Sequence, residues 1–78
     1  MWIERKSPER IEKRFEFDTY QEISLFMETI EALCKEHDIY PNISFGTSFV
    51  SVTIFIDSKE TSRKSSEFSR FIDESYKR

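Results

Sequence analysis

Apolar and polar positions alternate along this chain at two different periods, and the changes of period mark the boundaries of its elements. Ile11, Phe15 and Phe17 alternate with Glu12, Arg14 and Glu16. That is the period of two expected of a half-buried strand, whose successive side chains point to opposite faces. Lys13 falls on the apolar side and is the one exception. Upstream, Trp2-Ile3 opens a short extended segment that stops at Ser7-Pro8-Glu9-Arg10. The fixed φ of proline suits the second position of a type I turn, so a short meander is predicted before the strand.

The period then changes. Thr19-Tyr20-Gln21-Glu22 reads as a capping box, in which the Thr hydroxyl and the Glu carboxylate satisfy amides that a first helical turn leaves unpaired. Beyond it Ile23, Phe26, Met27, Ile30, Leu33, Cys34 and His37 recur at helical spacing on one face, with Glu22, Glu28, Lys35 and Glu36 turned to water. Leu25, Thr29 and Ala32 form a second, partly apolar ridge, which is either ordinary surface variation or a subunit contact. Pro41 disfavours helical geometry at Tyr40 and so predicts the end of this region.

Two further strands follow, from Asn42 to Phe45 and from Ser48 to Ile56, around Gly46, the only glycine. Gly46-Thr47 suits a two-residue type II′ turn, which sets Phe45 opposite Ser48 and Ile43 opposite Val50. In that register Ile43, Phe45, Val50, Val52, Ile54 and Ile56 share the face that helices should cover. The other face carries Asn42, Ser44, Phe49, Ser51, Thr53, Phe55 and Asp57. Fully burying one aromatic side chain contributes about 1.5–3 kcal/mol, so Phe49 and Phe55 left wet on a sheet face imply a covering partner. From Asp57 to Ser62 the chain is polar and loop-like, with Thr61 or Ser62 as N-cap of a last helix. Phe68, Phe71, Ile72 and Tyr76 share one side of it, and Lys77-Arg78 suit its C-terminus.

Composition narrows the class. A chain of 78 residues makes one domain, 1–78. At that size only about 60% of the unfolded surface is buried, so self-association into an oligomer is an expected source of stability. Hydrophobic residues at 37%, with eight Phe and one Trp, suffice for a core, and the 35% of charged residues mix their signs. A net charge of −3 and a pI near 5.2 argue against nucleic acid, which is held by concentrated Lys and Arg. The single cysteine excludes an internal disulfide and fits a reducing, cytoplasmic setting. No metal-ligand set and no cofactor motif is visible, and Met1 to Arg10 has no apolar run to serve as signal peptide or membrane span.

Arg14-Phe15-Glu16-Phe17, the helix from Tyr20 to His37, Tyr40-Pro41 and the hairpin up to Asp57 together resemble the pterin-4a-carbinolamine dehydratase family. The resemblance covers most of the chain. The family pattern is a Phe-x-Phe strand, an amphipathic helix, His-His-Pro, a hairpin, and a further His closing the second strand. Ile39 and Tyr40 stand where the two histidines before Pro41 belong, and Asp57 stands near the third. His37, the only histidine, comes two positions too early. Dehydration of a carbinolamine takes a proton from nitrogen and delivers one to the leaving hydroxyl, and imidazole suits both tasks near neutral pH. Ile39 can do neither, Tyr40 is a poor base, and Asp57 lacks the paired partner that acid–base work demands.

A narrower likeness is carried by Trp2-Ile3-Glu4-Arg5-Lys6, Pro8-Glu9-Arg10 and Tyr40-Pro41-Asn42-Ile43-Ser44-Phe45-Gly46. These are similar to the dehydratase-like branch associated with α-carboxysomes, which includes RuBisCO assembly factors and replaces His-His-Pro by an apolar residue, Tyr and Pro. The resemblance implies an α+β fold, a four-stranded antiparallel sheet with helices packed on one face, paired with a second copy across a two-fold axis. It also implies a non-catalytic chaperone of the RuBisCO large subunit, needing no cofactor, in the cytoplasm and associated with the carboxysome. Client capture is expected of the Tyr40 to Phe45 segment, through Tyr40, Pro41, Asn42, Ser44 and Phe45, and of Phe49 and Phe55 on the sheet face. Tyr40 could equally be a packing residue at the helix end, and His37 and Cys34 read as core or boundary residues rather than catalysts. The competing reading is a dehydratase or pterin binder with a degenerate pocket built from Tyr40, Ser44 and Asp57.

Overall fold

The computed structural model describes residues 1–76. Its elements are β1 (Ile3–Arg5), β2 (Arg10–Glu16), α1 (Tyr20–His37), β3 (Asn42–Phe45), β4 (Phe49–Phe55) and α2 (Lys59–Ser75). The strands form one four-stranded antiparallel sheet in the order β1-β2-β4-β3, with α1 and α2 packed against each other on one face. This is the α+β architecture that the family resemblance implies.

The core lies between the sheet and the helices. Phe15 on β2 and Val50, Val52 and Ile54 on β4 meet Ile23, Phe26, Ile30 and Cys34 of α1 and Phe68 and Ile72 of α2. Phe15 is fully buried and sits 5.0 Å from the Phe26 ring and 4.9 Å from Tyr76. Tyr76 is tied to the sheet besides, its hydroxyl donating to the Glu16 carbonyl at 2.6 Å. Lys13, on the core face as the alternation requires, reaches Asp73 of α2 at 2.7 Å, and the Trp2 indole N–H donates to the same carboxylate. A half-buried lysine is tolerated there because its stem covers apolar surface while its ammonium finds a charge at the helix margin.

Helix α1 begins as predicted. Thr19 accepts from the Glu22 amide and the Glu22 carboxylate accepts from the Thr19 amide, completing the capping box. It ends earlier than Pro41 requires, because Asp38 turns left-handed at φ 56 and its amide and that of Ile39 both close on the Cys34 carbonyl. On the side away from the core Leu25, Thr29 and Ala32 are exposed.

Three local expectations are corrected. The β3–β4 register pairs Phe45 with Val50 and Ile43 with Val52, so Thr47-Ser48 is the turn and Gly46 pairs with Phe49, donating to its carbonyl at 3.0 Å. Gly46 does not take a positive φ. Its missing Cβ matters for another reason: one built there would sit 2.6 Å from Cε1 of Phe49, whose ring lies across the glycine. The slip is by two residues, so every side chain keeps its predicted face. Helix α2 starts at Lys59 with Ser58 as N-cap, its hydroxyl accepting from the Thr61 amide, so Asp57 to Ser62 is mostly helix and neither Thr61 nor Ser62 is the cap. The connection between β1 and β2 is Lys6 to Glu9, with Ser7 at φ 65 and a cis Ser7–Pro8 bond, in place of the type I turn, because Arg5 pairs with Arg10 and leaves four residues to span. Lys77 and Arg78, read as complementing the end of α2, lie outside the described residues.

Truncating Phe15 to Ala is expected to cost about 3–5 kcal/mol, a large share of the whole stability of so small a chain. Thr19→Ala, which removes only the cap, should cost about 1 kcal/mol. Urea denaturation midpoints check both, and a Phe15→Ala protein as stable as wild type would contradict this description of the core.

Candidate functional site

The end of α1, the link to β3, the end of β4 and the start of α2 converge around a cavity of about 370 Å³. Ile39, Tyr40 and Asp57, the positions singled out by the family resemblance, all line it. Their side chains take different parts. Ile39 is buried in the core. Tyr40 is 72% exposed at the rim. Asp57 accepts a hydrogen bond from the Thr61 hydroxyl at 2.7 Å, which engages its carboxylate at the first turn of α2. Lys64 bridges the remaining acids, 3.2 Å from Glu60 and 3.8 Å from Asp38.

No imidazole lines this cavity among the described residues. His37 instead faces α2, its ring 5.3 Å from Phe71 and 6.0 Å from Phe68, with Nε2 buried and lacking a hydrogen-bond partner. It is therefore a boundary residue whose polarity is only partly satisfied. Cys34 is buried, and burial, with a further push from Glu31, raises its thiol pKa, so it is a poor nucleophile. The described residues contain no grouping of His, Cys, Asp and Glu able to hold a metal ion, and no helix long and apolar enough to cross a membrane.

The candidate binding residues fall in two places. Tyr40 and Pro41 lead into β3, an edge strand of the sheet, and Asn42, Ser44 and Phe45 lie on it. Because Gly46 and Phe49 are a hydrogen-bonded pair, alternation leaves Ile43 and Phe45 with their amides and carbonyls turned outward. Phe45 has the predicted parity but is 50% exposed, since no helix reaches over the edge strand there. Beside it an apolar groove of about 380 Å³ runs between β3 and α1, lined by Met27, Ile30, Cys34, Tyr40 and Ile43. Ser44 points to the opposite sheet face and does not line the 370 Å³ cavity, so the pocket of Tyr40, Ser44 and Asp57 does not assemble.

That opposite face is the second place. Reading across the strands, it shows Arg5, Arg10 and Phe55, then Ile3, Glu12, Thr53 and Asn42, then Arg14, Ser51 and Ser44, then Glu16, Phe49 and Gly46. Phe55 is 40% exposed. Phe49 is half-buried because the Arg14 guanidinium lies over its ring at 4.2 Å. Arg5 and Arg10 both engage Glu12. The hydrogen bond from Arg5 is the main reason the Glu12 carboxyl titrates below the usual carboxylate range.

No protein-family model matches this sequence, and neither does a curated protein. Solved structures do. One, at 28% identity and a TM-score of 0.74, covers 91% of this chain and 91% of its own, and is a pterin dehydratase-like protein described as a RuBisCO assembly factor in the α-carboxysome. The fold is that of the pterin dehydratase-like proteins. A transcriptional coactivator/pterin dehydratase from Brucella melitensis shares it with a TM-score of 0.86 at 18% identity, over 97% of this chain and 82% of that one. Within the pterin dehydratase-like frame the sequence identified the Ile39, Tyr40 and Asp57 positions, and the structure brings them together. Lys64 and the Arg14–Phe49 stack were missed. A lysine in a helix full of charges carries no signal of its own, and a stack on a sheet face appears only once the register is known.

Glu12 has a depressed pKa in the folded state, so it adds stability that is complete above the ordinary carboxylate range and disappears as pH falls through the lowered value. Glu12→Gln should lower stability most above pH ~6, where the contribution is complete, and converge on wild type as pH falls through the lowered value, flattening the acid limb. Equal acid limbs for the two proteins, measured by urea midpoints, would remove Glu12 as a contributor.

Proposed function

We propose that this chain is a non-catalytic RuBisCO assembly chaperone that uses a pterin dehydratase-like scaffold to hold the large subunit. The observation that carries the proposal is the cavity lined by Ile39, Tyr40 and Asp57, the positions that the family resemblance gives to the dehydratase histidines, with no imidazole among the described residues that line it. Proton transfer to and from a carbinolamine near neutral pH has no suited group there, because Ile39 is a core hydrocarbon and Asp57 is engaged by Thr61. The likeness to a RuBisCO assembly factor, over most of both chains, supports the choice of client.

Client contact falls to the exposed groups along Tyr40, Pro41, Asn42, Ser44 and Phe45 and to Phe49 and Phe55 on the open sheet face. Aromatic side chains beside uncovered polar groups are the usual anchors of protein interfaces. The working unit is a homodimer formed by strand pairing across a two-fold axis. β3 is the edge suited to it, since Asn42–Phe45 carries no charge, whereas β1 carries Glu4 and Arg5. Such a protein acts on RuBisCO where it is made and packaged, in the cytoplasm and at the carboxysome.

The test is co-expression with RuBisCO subunits in a host where RuBisCO assembles poorly. Wild type should raise the yield of assembled enzyme, and Tyr40→Ala or Phe55→Ser, both at exposed positions, should lower that gain several-fold while leaving the chaperone folded. Equal RuBisCO yields with and without the protein would overturn the proposal.

A further inference from the structure

The sheet face that no helix covers carries three arginines, Arg5, Arg10 and Arg14, and two glutamates, Glu12 and Glu16, an excess of positive charge on a chain of net charge −3. Arg5 and Arg10 are both engaged with Glu12. Arg14 has no carboxylate partner among the described residues, and its guanidinium carbon lies over the Phe49 ring, 4.2 Å from the ring centre. The ring itself lies across Gly46, where an added Cβ would sit 2.6 Å from Cε1 and force the ring to shift. Beside Arg14 is a depression of about 220 Å³ whose lining includes Ile3, Ser51 and Thr53. The Ser51 and Thr53 hydroxyls make no side-chain hydrogen bond to described residues, so the hollow presents hydroxyl donors, a preoriented guanidinium and an Ile3 side chain that is 51% exposed.

From this geometry we infer that the hollow between Ile3 and Arg14 seats a glutamate or aspartate side chain of a protein partner, with Arg14 gripping the carboxylate and Ile3 contacting an adjacent apolar residue. Glu12 also lines the hollow, but two arginines offset its charge. A planar fork on an aromatic ring binds a carboxylate with two parallel hydrogen bonds and loses little side-chain freedom in doing so, which an ammonium does not match. As the contact that holds the RuBisCO large subunit, the inference rests on the proposed chaperone function; as a carboxylate seat it stands alone.

The experiment has two arms. In the first, the isotopically labelled protein is titrated with acetyl-Leu-Glu-Leu-amide, its Gln counterpart and free glutamate, following the Arg14 side-chain Nε resonance and the Ser51 and Thr53 amides. The Glu peptide should shift them saturably, the other two should bind at least ~10-fold more weakly, and Arg14→Lys should lose the response. Equal responses to Glu and Gln peptides, or free glutamate binding as well as the peptide, would overturn the seat. In the second arm, RuBisCO assembly yield is compared for wild type, Arg14→Lys and Gly46→Ala, with Arg63→Gln on the helix layer as control. Loss of yield in the first two variants but not in the control supports a client contact, and full yield from Arg14→Lys overturns it while leaving the chaperone function intact. A positive peptide arm with no yield effect of wild type would remove the chaperone function and keep the seat.

Discussion

One contact surface governs this molecule: the face of β2 and β4 bearing Phe15, Val50, Val52 and Ile54, closed by α1 and α2. With so few residues, burial of that face is nearly the whole apolar driving force, and each aromatic on it matters in proportion. The rest follows from its being one-sided. Both helices are committed to the same face, so the other face is left with Phe49, Phe55 and the arginines, and β3 is left as an open edge. Lys13 and Trp2 show how the margin of the core is sealed, since both reach Asp73 and pin the first strands to the last helix.

The parts of the fold legible in the sequence were those dictated by repetition and local chemistry. The capping box at Thr19 and Glu22 is self-contained within one turn, and it forms as read. The alternation from Ile11 to Phe17 survived Lys13 because an ion pair with Asp73 lets a lysine occupy a core-facing position. What escaped depended on distant partners. The hairpin register differs by two from the one the Gly46-Thr47 turn preference gives, and it sets Gly46 under the Phe49 ring, a packing that turn preferences do not contain. The start of α2 moved to Ser58 because a serine followed by charged residues caps as well as a later threonine does.

The candidate site divides in the same way. Ile39, Tyr40 and Asp57 were singled out by the family resemblance, and their convergence on one cavity is a matter of chain topology: the end of α1 and the start of α2 meet at the same edge of the sheet. Ser44 was misplaced in the pterin reading because adjacent residues of a strand face opposite ways, and Ser44 lies one step from Ile43. His37 retains an imidazole near the cavity in sequence, yet the helix carries it to Phe68 and Phe71. The scaffold thus keeps the pterin dehydratase-like fold while its histidine packs against α2.

The central claim is that the cavity cannot move protons for a carbinolamine, and the most direct measurement is turnover of a pterin-4a-carbinolamine near neutral pH. The account predicts a rate equal to that of buffer alone. Turnover well above buffer that survives His37→Ala and falls with Asp57→Ala would contradict it, because the engaged carboxylate of Asp57 would then be doing the work assigned here to absent imidazoles.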